Sequence, residues 1–334
     1  MTRIALFDMF PQWPLARQTP GGALRWGAAE FVINPDGGAF DGCVVFDGLL
    51  RETTIACPAD RTFFIAGEPP SIKLYHSVFL EQFAAIVTCH SDTPHRRLIH
   101  DQQGYPWHLG VARRDGGLVA AQDYDGLRAA IMPRKTRLIS VIVSDKAVTP
   151  GHAYRRAFVA RLRQHFRARI DIFGRGLRPL ADKADGIVPY RYHVALENSA
   201  FPDYWTEKLA DSFLGFAHPL YWGCPNLERY FPAGSFTVLN IHDPAQAIAT
   251  IEEAIAEDRF ALSRDAVAAS RDRVLDTYNL FALACDLVAT PSTQPAAPCR
   301  IRPEAVSRDS VTKKLRQRLR RAVPRRFRPK TPML

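Results

Sequence analysis

Residues 190–223 read YRYHVALENSAFPDYWTEKLADSFLGFAHPLYWG, an apolar strand, a polar turn, a helix start and a second apolar strand in succession. Residues 192–196 are short, β-prone and run straight into Glu197, Asn198 and Ser199, the pattern of a buried strand with a polar carboxyl end. In a parallel α/β sheet, ligands gather at that end. Thr206 has the chemistry of an N-cap, and Leu209, Phe213, Leu214 and Phe216 fall roughly on one face of the helix it opens. A helix N-terminus facing a cleft favours phosphate. Residues 218–222 supply the next strand and Gly223-Cys224-Pro225-Asn226 the next turn, so the unit is strand, helix, strand with its loop toward a ligand.

Upstream, residues 4–7, 43–46, 62–66 and 84–88 are strand candidates separated by Pro, Gly and Asp. They define a first α/β domain over 1–133. A second domain, 134–290, opens with the apolar strand at 137–143. A helical stripe follows at 152–166, then a strand at 170–173 with the exit loop Gly174-Arg175-Gly176-Leu177-Arg178. Residues 235–239 read as a further strand, and 243–256 and 265–288 as helices.

The chain of 334 residues carries a net charge of +10, and its location matters. Residues 300–334 hold thirteen Lys or Arg against Glu304 and Asp309, a local balance of +11, which leaves the rest near −1. From residue 291 the sequence reads as a linker followed by a basic tail. Val311, Leu315 and Leu319 recur every four residues among cations, as in an amphipathic helix ending at Pro324. Such a tail favours an anionic membrane surface. No RNA- or DNA-binding motif accompanies it, so no nucleic acid partner is expected. No run of eighteen apolar residues is present, and the start MTRIALFDMF reads as a strand instead of a signal peptide. The expected location is cytoplasmic, peripheral on the inner face of the membrane. The six cysteines show neither C-x-x-C nor metal-ligand spacing and read as reduced thiols.

The strings ALENS at 195–199, DYWTEKL at 203–209, PLYWG at 219–223 and ERYFPAGSF at 228–236 resemble the signature of glycosyltransferase family 10, the α-1,3/α-1,4-fucosyltransferases, bacterial type. The likeness is specific over 190–236 and traceable from 63 to 290. It implies GT-B architecture, two Rossmann-like domains facing across a cleft, with GDP-fucose as donor and inversion at the anomeric carbon. Glu68, in Gly67-Glu68-Pro69-Pro70-Ser71, resembles the Glu-Ser-Pro element whose glutamate is the expected base. Residues 88–92, Thr-Cys-His-Ser-Asp, depart from the Ser-Tyr-Arg-x-Asp string of animal members except at the final Asp.

By the same resemblance, Arg155, Arg175, Arg178, Glu197, Asn198, Tyr204, Thr206, Glu207 and Lys208 form the donor site. Lys208 and one arginine of the 174–178 loop would stabilise the departing diphosphate, and spacing does not distinguish Arg175 from Arg178. No D-x-D string stands at a strand end, so no obligatory metal or other cofactor is expected. The expected acceptor is a hydroxyl of a GlcNAc-containing or related surface-glycan precursor such as lipopolysaccharide. Two other readings fit the sequence: a transferase of another GDP-sugar, and a catalytically idle glycan- or nucleotide-binding protein of the same fold.

Overall fold

The computed structural model describes residues 1–143, 150–174 and 176–304. Arg175 and nearly all of the basic tail, residues 305–334, lie outside the described residues.

Eight strands come first along the chain: β1 (Thr2–Asp8), β2 (Arg25–Trp26), β3 (Ala29–Ile33), β4 (Gly42–Phe46), β5 (Thr53–Cys57), β6 (Thr62–Ile65), β7 (Ala85–Val87) and β8 (Leu98–Ile99). Seven of them make one sheet in the order β2-β3-β1-β4-β6-β7-β8, parallel except for β2 against β3. The short helix α1 (Ser77–Leu80) joins β6 to β7, and the hairpin β9 (Val111–Arg114) and β10 (Gly117–Ala120) and the helix α2 (Tyr124–Ala129) lie in the connection to the second unit. There β11 (Arg137–Ile142), β12 (Ile170–Phe173), β13 (Tyr190–Leu196), β14 (His218–Trp222) and β15 (Thr237–Val238) form an all-parallel sheet in the order β12-β11-β13-β14-β15.

Both sheets are doubly wound, and in both the strand order reverses beside the first strand: between β1 and β4, and between β11 and β13. Such a reversal opens a crevice at the strands' carboxyl ends. Here the two crevices face one another, which is the two-domain arrangement expected from the resemblance.

Each sheet is buried on both faces. In the second, Tyr192, Val194 and Leu196 of β13 point into a core with Phe158 and Leu162, while Ala195 points the other way toward Leu209 and Phe213. The period of two along β13 thus assigns α3 (Pro150–Phe166) to one face and α4 (Glu207–Leu214) to the other. Gly174 is fixed by contact: a Cβ there would lie 1.7 Å from the Val143 carbonyl oxygen, so the β12 exit loop can cross the end of β11 only as glycine. Arg17 ties the units together by donating to the carbonyls of Trp107, Leu109 and Gln122.

The last segment differs from the division expected at 290. A helix, Leu280–Val288, packs Leu280, Phe281 and Ala284 against Ile4, Val44 and Phe63 of the first sheet, although the resemblance placed it in the second domain. Residues 297–301, read as linker, form a strand (Ala297–Ile301) antiparallel to β5. The returning helix completes the cover of one face of the first sheet, while residues 75–83 cover the other.

Candidate active site

A cleft of about 650 Å³ opens where the two sheets' carboxyl ends meet. Asp8, Phe46, Asp47 and Glu68 come from the ends of β1, β4 and β6; Ile142, Val143, Arg155, Asn198, Tyr204, Thr206, Glu207 and Lys208 come from the second unit. A second hollow, of about 480 Å³ beside Asp60, Ala84 and Arg97, lies at the amino ends of β6 to β8 and gathers no comparable set of charges.

The donor-side wall is a compensated network built under the start of α4. Glu197 is 0% exposed. Its carboxylate accepts from the Thr206 backbone N–H at 2.8 Å and the Thr206 hydroxyl at 2.7 Å, and Lys208 Nζ stands 3.3 Å away. Lys208 also donates to Thr206 Oγ1 at 2.9 Å and pairs with Glu207 at 3.4 Å. Glu207 pairs in turn with Lys183 at 3.3 Å, and Lys183 with the buried Asp211 at 2.9 Å. Burial opposes the Glu207 anion, but Lys208 and Lys183 outweigh it and hold its carboxyl well below the usual range. Burial likewise opposes the Lys208 charge, and Glu207 and Glu197 more than restore it. Both groups are therefore ionised at neutral pH.

Arg155 is buried and donates to the Leu196 carbonyl at 3.1 Å, while its Nε has no protein partner. Burial pulls its pKa below the ordinary guanidinium value, opposed mainly by Glu197. The Tyr204 hydroxyl donates to Asn198 Oδ1 at 2.8 Å, fixing the amide at the end of β13.

The facing wall is differently charged. Glu68 follows β6; its backbone N–H donates to the Tyr75 hydroxyl at 3.0 Å and its carbonyl oxygen lies 2.7 Å from His90 Nε2. Burial first, and then the Asp47 anion, raise its carboxyl above the usual range, with Lys208 across the cleft pulling the other way. Asp47 accepts from Tyr75 at 2.5 Å and lies 3.3 Å from Lys73. Asp8 is buried and also raised, by burial. His108 packs against Trp13 with ring centroids 4.5 Å apart and is held neutral, its pKa lowered to about 4 by burial and then by Lys183.

Among the expected residues, Glu68, Arg155, Asn198, Tyr204, Thr206, Glu207 and Lys208 come together. Glu197 lies beneath the site: it grips Thr206 and Lys208 instead of facing the cleft. Arg178 is not brought to the cleft, because its guanidinium covers the Phe173 ring at 4.7 Å and pairs with Asp171 at the sheet's outer edge. Asp8, Asp47, His108 and Lys183 were not anticipated. A polar residue just past an apolar strand marked Asp8 and Asp47; nothing in the spacing marked Lys183. Among the described residues, no group of three His, Cys, Asp or Glu could hold a metal ion.

This geometry offers fixed positive charge for an anion on one wall and a high-pKa carboxyl for proton transfer on the other. A 62-residue stretch is 32% identical to the alpha-(1,3)-fucosyltransferase FucT of Helicobacter pylori; it covers 19% of this chain and spans 13% of that relative's length. Similar solved structures include an alpha1,3-fucosyltransferase with GDP, 16% identical, covering 84% of this chain and 92% of that one, with a TM-score of 0.46. Another, trehalose-6-phosphate from E. coli bound with UDP-2-fluoro glucose, is 11% identical over 75% of this chain and 74% of that one, with a TM-score of 0.42. The model of glycosyltransferase family 10 (fucosyltransferase), C-terminal part, matches residues 132–263, a span that contains the whole donor-side wall.

Proposed function

We propose that this chain is an inverting glycosyltransferase that moves L-fucose from GDP-fucose to a hydroxyl of a glycan acceptor. The observation that carries the reading is the pair of facing walls, with Glu68 on one and Lys208, Glu207 and Arg155 on the other. The Glu68 carboxylate takes the proton of the acceptor hydroxyl as that oxygen bonds the anomeric carbon. The bond from that carbon to the diphosphate breaks on the opposite face, and its electron pair leaves with GDP. Lys208 and the unpartnered edge of Arg155 meet the negative charge that develops there. Asn198, Tyr204 and Glu207 orient the donor. Glu197 and Lys183 keep the charged groups in place without touching it.

The acceptor is a GlcNAc-containing or related glycan on a surface-glycan precursor such as lipopolysaccharide, and the basic segment 300–334 holds the enzyme at the cytoplasmic face of an anionic membrane. No metal is required; loss of turnover on chelation with recovery in Mn²⁺ would refute this.

The test is titration of the full chain, without metal, by GDP, GDP-fucose, GDP-mannose and UDP-sugars. Stabilisation by GDP and GDP-fucose above the others is expected. A preference for GDP-mannose would reassign the donor, and failure to bind any nucleotide would end the transferase reading. Glu68→Ala should keep GDP affinity and lose transfer; a chain that binds donor but transfers to no acceptor, with Glu68 intact, would be a binding protein.

A further inference from the structure

Large apolar side chains that stand well exposed are not scattered evenly. Of twelve among the described residues, five lie on three neighbouring loops: Met9 and Phe10 after β1, Leu50 after β4, and Ile72 and Leu74 after β6. Because β1, β4 and β6 are adjacent parallel strands, these loops form one rim at the mouth of the cleft, on the side that carries Glu68. Leu50 is 55% exposed and Leu74 70%.

The rim is a built surface. Leu49 is buried in the core beneath Leu50. A Cβ on Gly48 would lie 2.6 Å from Met9 Sδ, so the first two loops pack against each other. Lys73 donates to the Asp47 carbonyl oxygen at 3.1 Å and joins the third loop to the second. Beside the exposed apolar residues, Arg51 pairs with Asp36 and Lys73 with Asp47, and the acid of the third loop, Glu68, faces the cleft.

The chain's last described residue stands at the same place. Glu304, from which the segment 305–334 continues, accepts from the His76 backbone N–H at 2.9 Å and lies 3.8 Å from Lys73, on the loop that carries Leu74. That segment of thirty residues contains eleven Lys or Arg and one acid, Asp309. An apolar rim next to a strongly cationic segment matches a single kind of partner, a bilayer with anionic headgroups and accessible acyl chains.

We propose that the loops after β1, β4 and β6 seat on an anionic lipid surface, so that the cleft mouth opens onto the bilayer and receives a glycan carried on lipid. The proposal rests on the transferase reading for the word acceptor; the membrane seat itself does not. It adds to the basic segment a second, apolar contact that fixes which way the cleft points.

Flotation of the full chain with mixed phosphatidylcholine–phosphatidylglycerol vesicles, compared with pure phosphatidylcholine, tests it. The full chain should bind only the mixed vesicles. The double variant Leu50→Asp/Leu74→Asp, with the basic segment intact, should bind them about tenfold or more weakly, since two apolar anchors are lost and two anions added. GDP titration and thermal unfolding of the variant should match the parent, which separates lost docking from lost folding or a failed donor site. Binding of the variant equal to the parent's would overturn the proposal and leave the basic segment as the whole contact. Absence of binding by the parent would overturn it as well.

Discussion

The two walls of the cleft are made from sheets of the same winding order, yet they handle charge in opposite ways. On the second unit's wall each buried acid has a lysine opposite it: Glu197 with Lys208, Glu207 with Lys208 and Lys183, Asp211 with Lys183. On the first unit's wall, Asp8, Asp47 and Glu68 share little positive charge beyond Lys73, and the carboxyls of Asp8 and Glu68 are pushed upward. The first arrangement holds a fixed field for an anion that arrives and departs. The second raises the proton affinity of the Glu68 carboxyl, which suits the base role proposed for it. One fold thus supplies both halves of a group transfer.

The contrast can be broken at its extremes. Glu68→Gln should lower kcat/KM by about 10²–10⁴ with GDP affinity unchanged, the signature of a lost proton acceptor; an equal loss of GDP affinity would mean that Glu68 belongs to the donor wall instead. Glu197→Ala should act through stability, costing about 3–5 kcal/mol in urea unfolding, because it leaves Lys208 and the Thr206 N–H without their buried partner. A variant as stable as the parent would show the network to be dispensable.

The contrast is sharpened by pH. Activity carried by a base rises as that base loses its proton, so the acid limb of kcat/KM should lie above the ordinary glutamate range. Asp47→Asn removes one cause of the rise, the others being burial and Glu207, and should move the limb to lower pH; a limb that stays put would leave burial and Glu207 as the causes. The smallest effect is expected for Arg178→Ala. Its pair with Asp171 is exposed, so stability should change by no more than about 0.5 kcal/mol and GDP binding not at all. A clear fall in GDP affinity would return Arg178 to the site.

The strand–helix–strand unit was legible residue by residue because its signals are local. The β13 alternation, the Thr206 cap and the apolar positions of α4 all act within a few residues of one another, and the structure has Tyr190–Leu196, Thr206 and Glu207–Leu214 in those roles. Legibility stopped where long-range packing decides. Lys183 meets Glu207 only because the loop before β13 passes under α4, a meeting that no spacing encodes. Arg178 has the residue type of a phosphate ligand, but the Phe173 face and the Asp171 carboxylate beside it compete successfully for its guanidinium. The helix at 280–288 is amphipathic, and amphipathicity states that a face will be covered without stating by which sheet.

The return of that helix to the first sheet has a consequence for the order in which the protein can be made. Leu280, Phe281 and Ala284 complete a core whose other members, Ile4 through Val87, leave the ribosome far earlier. Roughly 190 residues separate the end of β7 from that helix, which at ~5–20 residues per second is on the order of ten to forty seconds of synthesis. Throughout that interval the first sheet has one uncovered apolar face, while the second unit, whose strands and helices α3 and α4 are contiguous, can close on itself. The unit synthesised second is therefore able to reach its native packing first, and the first unit's core is complete only once residues 280–288 have been made.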